Sequence, residues 1–131
     1  MSQPKPRMNQ PVALLLYEKL LPGSQVGNRL RDLGYRVETL LEAKRLVDHA
    51  EALLPLVVVL DLESSTVDTC ALIRDLRRSP VIGHVPVLAF AGNDTEPLKQ
   101  SAAAAGATLV TSEDALLSQL PVLLEQTLRI D

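Results

Sequence analysis

Few residues in this chain could do chemistry. Asp61 closes the apolar run VVVLD at 57–61, and Glu63 follows two positions later in DLESS. A carboxylate at the end of a buried strand is costly unless it has a partner or a task. Glu18 stands in a similar place, just after the apolar run VALLLY at 12–17. The plain reading of Glu18 and Glu63 is that of solvated loop acids; Glu63 is also close enough in sequence to tune access to Asp61. Cys70 is the single cysteine and lies beside Ala71 and Ile73, the setting of a buried, inert thiol. One cysteine and two histidines, His49 and His84, exclude a cysteine- or histidine-based metal cluster. His49 falls off the apolar stripe of its segment and His84 lies in a connecting stretch, so both read as solvated. YEKLLPGSQVGN carries neither a dinucleotide fingerprint nor a Walker pattern. No serine elbow or nucleophile–base pair is present. The expectation is that the chain is not an enzyme.

Asp61 and its neighbours need a scaffold, and hydrophobic periodicity supplies one. Residues 1–10 are polar with two prolines and read as a flexible arm; 11–131 read as one domain. The continuous run VALLLY suits a strand buried on both faces. Val26, Leu30 and Leu33 then form a helical stripe, with Ser24 expected as N-cap and Gly34 as the residue that stops the helix. YRVETL at 35–40 alternates as an exposed edge strand. Residues 42–54 form a second helix with Leu46, Val47, Ala50, Leu53 and Leu54 inward, ended by Pro55. LVVVLD is the most buried strand, and 67–79 a third helix with a basic last turn. VPVLAF at 85–90 is a strand. Thr95 caps a fourth helix, with Pro97 in its first turn and Gly106 at its end. TLVT at 108–111 is a short strand. Ser112 caps a last helix carrying Leu116, Leu117, Leu120, Leu124 and Leu128. Pro121 implies either a kink or a fresh start near Ser118.

Five strands alternating with five helices predict an α/β fold: a doubly wound parallel sheet of flavodoxin-like order 2-1-3-4-5. Ligands of such sheets bind outside the carboxyl ends of the central strands. That singles out Tyr17, Glu18, Asp61, Glu63, Ala91, Gly92, Thr111 and Ser112. Apolar residues make up 47 % of the 131, which excludes a disordered chain. The net charge of −3 and scattered basic residues leave no footprint for nucleic acid, and the few aromatics no base-stacking platform. MSQPKPRMNQ has no signal-peptide core, and ALLPLVVVL is too short to span a bilayer. A cytoplasmic protein without membrane or nucleic-acid partners is expected.

With this order and spacing, residues 12–131 resemble a response-regulator receiver domain, the CheY-like phosphoacceptor module of bacterial two-component signalling and phosphorelay. VVVLDLES resembles the family's acceptor strand and places Asp61 at the phosphorylated aspartate. RDLGYRV resembles its first-helix exit and second strand. Counting back from Gly34 puts Tyr17 and Glu18 at its acidic pair. HVPVLAF resembles the fourth strand, with Ala91 where the family has Thr or Ser. AAAAGATLVTS resembles the run into its invariant lysine, here Ser112 or, with no gap, Glu113. Leu109 falls at the family's aromatic switch position.

The resemblance implies magnesium held by Glu18 and Asp61 with the Glu63 carbonyl in line, and a phosphoryl group accepted from a histidine kinase or other signalling protein. The departures bear on that chemistry. Negative charge spreads over the phosphoryl oxygens in the transition state and needs donors around it. Tyr17 gives no carboxylate, Ala91 no hydrogen bond, and no lysine follows the last strand; Lys99 lies within the fourth helix. Removing one preorganised donor typically costs ~10²–10³ in rate. Two readings remain open. One is a degenerate pseudo-receiver that binds a protein partner in trans whether or not it is phosphorylated, through a surface including Leu98, Ala102 and Leu109, with a homodimer through the leucine-rich last helix. The other is a working magnesium-dependent acceptor with Thr111, Ser112 or Asn93 as substitute donor.

Overall fold

The computed structural model describes residues 10–18, 20–64, 67–92 and 95–129, with the backbone alone for 20–22. Its elements are β1 (Val12–Leu16), α1 (Leu20–Asp32), β2 (Arg36–Thr39), a 3₁₀ turn (Ala43–Arg45), α2 (Leu46–Leu53), β3 (Val57–Asp61), α3 (Thr69–Arg78), β4 (Val87–Ala91), α4 (Glu96–Ala105), β5 (Leu109–Ser112) and α5 (Glu113–Leu128). The strands form one parallel sheet of order β2-β1-β3-β4-β5, as the alternation predicts. Asn93 lies outside the described residues. None of the described helices is long and apolar enough to cross a membrane.

Period-two alternation divides the core. Ala13, Leu15, Val57, Val59, Leu88 and Phe90 face α1 and α5, meeting Val26, Leu30, Leu116, Leu120, Leu123 and Leu124. Leu14, Leu16, Val58, Leu60, Val87 and Ala89 face the other way, toward Leu46, Ala50, Ile73, Leu76, Ala102 and Ala105 of α2, α3 and α4. All five residues of β3 and of β4 are buried, so the two central strands need apolar side chains on both faces. Asp61 is the polar exception, at the strand's carboxyl end.

Several boundaries differ from the sequence expectation. α1 begins at Leu20, so Ser24 lies inside the helix rather than capping it. Pro22 is compatible with this because first-turn N–H groups have no intrahelical acceptor. Gly34, at φ +97°, ends α1 as expected, with the Tyr35 N–H donating to Leu30 O. Leu33 and Leu54 leave the core, at 43 % and 61 % exposure. Each sits where its helix unwinds: Leu33 follows the last residue of α1, and Leu54 adopts φ +50° as the α2 C-cap. Thr95 stands at the α4 N-cap, but its hydroxyl donates to Gly92 O instead of accepting a cap bond.

The alternative at Pro121 resolves as a kink, with Gln119 non-helical at φ −130°, ψ 27°. A proline cannot donate to the carbonyl four residues back, here Leu117 O. Arg29 Nη1 of α1 donates to that carbonyl instead, at 2.8 Å. The α5 leucines go into the core: Leu116, Leu120, Leu123 and Leu124 are buried, Leu117 and Leu128 pack against them, and Val122 is left as the exposed large apolar residue of α5.

Arg77, the penultimate residue of α3, holds the opposite end of the sheet from Asp61. Its guanidinium donates to Gly106 O (2.9 Å), Gly83 O (3.2 Å), Val85 O (2.6 Å) and Thr108 Oγ1 (3.2 Å). Thr108 Oγ1 in turn accepts from the Val87 N–H at 3.0 Å. One side chain thus ties α3 to the entries of β4 and β5, a role well beyond complementing the helix dipole.

Candidate functional site

Asp61 ends β3 between β1 and β4, with 5 % of its surface exposed. Its Oδ1 accepts the Glu63 N–H at 2.9 Å, so the carboxylate shapes the loop that leaves the strand. The Leu62 N–H donates to Phe90 O at 2.8 Å, extending the β3–β4 pairing by one residue. Thr69, buried at the start of α3, returns its hydroxyl to Leu62 O at 3.0 Å. The Asp68 side chain caps α3 by accepting the Ala71 N–H.

Glu18 and Asp61 line one pocket of about 90 Å³, with Leu16, Tyr17, Leu41, Ala43, Ser64, Val67 and Thr69. Ser64 bridges its two sides: the hydroxyl donates to Glu18 Oε2 (3.1 Å) and accepts the Val67 N–H (3.2 Å). The Tyr17 ring packs over the backbone of Gly23 in α1, where a Cβ would fall inside the ring. A glycine in the first turn of α1 is thus what lets an aromatic side chain occupy the position after β1.

The Glu63 side chain is engaged on the neighbouring strand: Oε2 accepts the Gly92 N–H at 2.5 Å, across to the β4–α4 turn. No group of three acidic, histidine or cysteine side chains gathers among the described residues. Magnesium is commonly held through one or two carboxylates with water completing its shell. The donor set of Glu18 and Asp61 in one small pocket fits that requirement.

At the end of β4, the strand beside Asp61, neither Phe90 nor Ala91 has a side-chain donor. β4 ends in Ala91, fully buried and paired in register with Ser112. The Ser112 hydroxyl accepts the Ala115 N–H at 3.1 Å and caps α5, the plainer of its two expected roles. Lys99 pairs with Glu96 on its own helix at 3.6 Å. Thr111 is half-buried on β5. Of the three surface residues expected on the α4–β5–α5 face, Leu98 and Leu109 are partly buried. Ala102 is fully buried, because it faces the sheet; Ala103 and Ala104 are the exposed alanines of that run. Cys70 is buried next to Thr69, as expected; burial pushes its thiol up, Asp68 adds to this, and Arg74 opposes it. His84 is exposed, while His49 is half-buried with Nδ1 at 3.1 Å from Arg45 O.

Ser64, Thr69 and Gly92 build the site together with the carboxylates. Of these, Gly92 alone carries a signal in the sequence, its place directly after a central strand.

No protein-family model matches the chain, and no curated protein matches it in sequence. Solved structures do. The chemotaxis response regulator CheY4 of Vibrio cholerae matches with 20 % identity and a TM-score of 0.73, over 88 % of this chain and 99 % of that one. FixJ-N matches with 18 % identity and a TM-score of 0.78, over 95 % and 98 %. The receiver domain of a sensor histidine kinase from Pseudomonas aeruginosa, described with magnesium in its active-site cleft, matches with 20 % identity and a TM-score of 0.74, over 89 % and 97 %. The chain has the fold of the CheY-like response-regulator receiver domains.

Proposed function

We propose that this chain is a signalling module of the two-component type that acts by binding a protein partner in trans, a histidine kinase or another signalling protein, without phosphorylation of Asp61. The observation that carries this reading is the end of β4, the strand beside Asp61, where the buried Ala91 has no side-chain donor. On β5, one strand further out, the Ser112 oxygen accepts the Ala115 N–H as the α5 cap. A phosphoryl group on Asp61 would meet too few donors for its developing charge. The fixed surface is the α4–β5–α5 face, where Leu98 and Leu109 are accessible in part beside exposed Ala103 and Ala104. The test is partner binding. A partner captured on immobilised wild-type chain should bind Asp61→Asn with unchanged affinity; a clear change from that single substitution contradicts the reading.

One observation favours a second reading, a working magnesium-dependent phosphoacceptor. Glu18 and Asp61 share a pocket. There they would hold the metal with the Glu63 carbonyl, and magnesium would supply charge neutralisation at the phosphoryl oxygens. That reading requires magnesium binding that disappears in Asp61→Ala.

A further inference from the structure

The bond between Glu63 and Gly92 joins the exits of β3 and β4. β3 and β4 are adjacent, and the Leu62 N–H already pairs with Phe90 O, so the residues after the two strands lie side by side. Asp61 and Glu63 are joined through the Glu63 N–H, while the Glu63 side chain leaves the Asp61 pocket for the neighbouring turn. There Oε2 accepts the Gly92 N–H at 2.5 Å. The Gly92 carbonyl accepts from Thr95 Oγ1, so both backbone polar groups of Gly92 are engaged. The fit is close as well: a Cβ on Gly92 would stand 3.0 Å from Glu63 Oε2.

A backbone N–H at the carboxyl end of a central strand is the kind of donor that an anion bound in this crevice would use. Here the donor is already taken by an anion belonging to the chain. We propose that Glu63 is a resident anion on the Gly92 N–H, where it competes with any phosphoryl-type anion entering beside Asp61. The proposal rests on the crevice reading above and adds its regulation. A phosphoryl-type anion must displace the Glu63 carboxylate from Gly92 and meets its like charge on the way. Neutral or shortened side chains at 63 open the crevice.

The probe is beryllofluoride with magnesium, followed by amide NMR on wild type, Glu63→Gln and Glu63→Ala. Gly92→Ala gives an independent route, since its Cβ presses on the carboxylate without changing residue 63. Losing a hydrogen bond to a charged group corresponds to roughly ten- to a hundredfold in a competing equilibrium. Glu63→Ala should therefore bind the probe at least ~10-fold more tightly than wild type, with Glu63→Gln between them. The residue-92 amide should lose exchange protection in Glu63→Ala and in Gly92→Ala, and in Glu63→Ala its resonance should also move upfield. Equal affinity in wild type and Glu63→Ala, including no uptake by either, overturns the proposal. So does a Gly92 amide that is unchanged in Glu63→Ala. The partner-binding test with Asp61→Asn is separate from this ratio, so either reading can fail alone.

Discussion

Removing the guanidinium of Arg77 is the sharpest perturbation for testing how this fold is held. Arg77→Met keeps the unbranched stem of the side chain and deletes its donors to Gly106 O, Gly83 O, Val85 O and Thr108 Oγ1. Hydrogen bonds to a charged group contribute about 1.5–3 kcal/mol each. Four at the low end would total about 6 kcal/mol. Arg77 is only half-buried, so water can reach part of what it leaves, and half that sum, ~3 kcal/mol, is the expected loss. Burial lowers the Arg77 pKa, yet a guanidinium stays charged throughout the ordinary pH range. For a domain of this size ~3 kcal/mol lowers Tm by roughly 9–15 °C. With an m-value of ~1.5–2 kcal/mol/M, the urea midpoint falls by roughly 1.5–2 M. The chain has no tryptophan, so unfolding is followed by far-UV circular dichroism. Arg78→Met is the control, because Arg78 is exposed and forms a 3.6 Å surface pair with Asp75 whose loss costs about 0–1 kcal/mol. A midpoint for Arg77→Met within ~0.3 M of wild type at unchanged m would refute the reasoning.

Gly23→Ala places a Cβ inside the Tyr17 ring and should destabilise by about 1–3 kcal/mol despite the better helix propensity of alanine. In a Tyr17→Ala background the same Gly23→Ala change should cost little in the same urea experiment, because the collision is with that ring. Cys70 should alkylate with iodoacetamide at pH 8 at least ~10-fold more slowly than a free thiol, since burial and Asp68 keep it protonated to higher pH. The thiol pKa is raised in the fold, so its contribution to stability is complete below the unfolded value of ~8.5 and is lost as pH rises through the folded one. An alkylation rate equal to that of a free cysteine would contradict the assignment of Cys70 as buried.

The order of elements was legible because each core strand is a continuous apolar run and each helix shows a stripe. Turn residues marked several ends correctly: Gly34 and Gly106 have positive φ, and Pro97 lies in the first turn of α4. Periodicity failed at helix ends. Leu33 and Leu54 continue the apolar spacing, but the backbone has already left the helix and turns them outward. It failed again at Ser24, where a good cap residue is overridden by a helix that starts four residues earlier. Ala102 could be placed on α4 from sequence, but which alanines of SAAAA face the sheet depends on the helix's rotation.

At the site, the position of Asp61 was legible, because a carboxylate that closes a run of four apolar residues must stand where the buried strand meets water. The connections around it were not. The Glu63–Gly92 bond joins residues 29 apart, and Ser64 reaches Glu18 across 46. Such pairings follow from the order β1-β3-β4, which puts loops distant in sequence beside one another. Arg77 escaped for the same reason. Three of its four acceptors are carbonyls, and a carbonyl leaves no mark in a sequence.

The measurement that tests the central claim most directly is an amide NMR titration of the wild-type chain with magnesium and then beryllofluoride, repeated on Asp61→Asn. A module that works without phosphorylation should show no beryllofluoride-dependent change reaching Leu109 and α5. Shifts centred on Glu18, Asp61 and Glu63 that spread to Leu109 and α5, and vanish in Asp61→Asn, would contradict the account and establish a live switch.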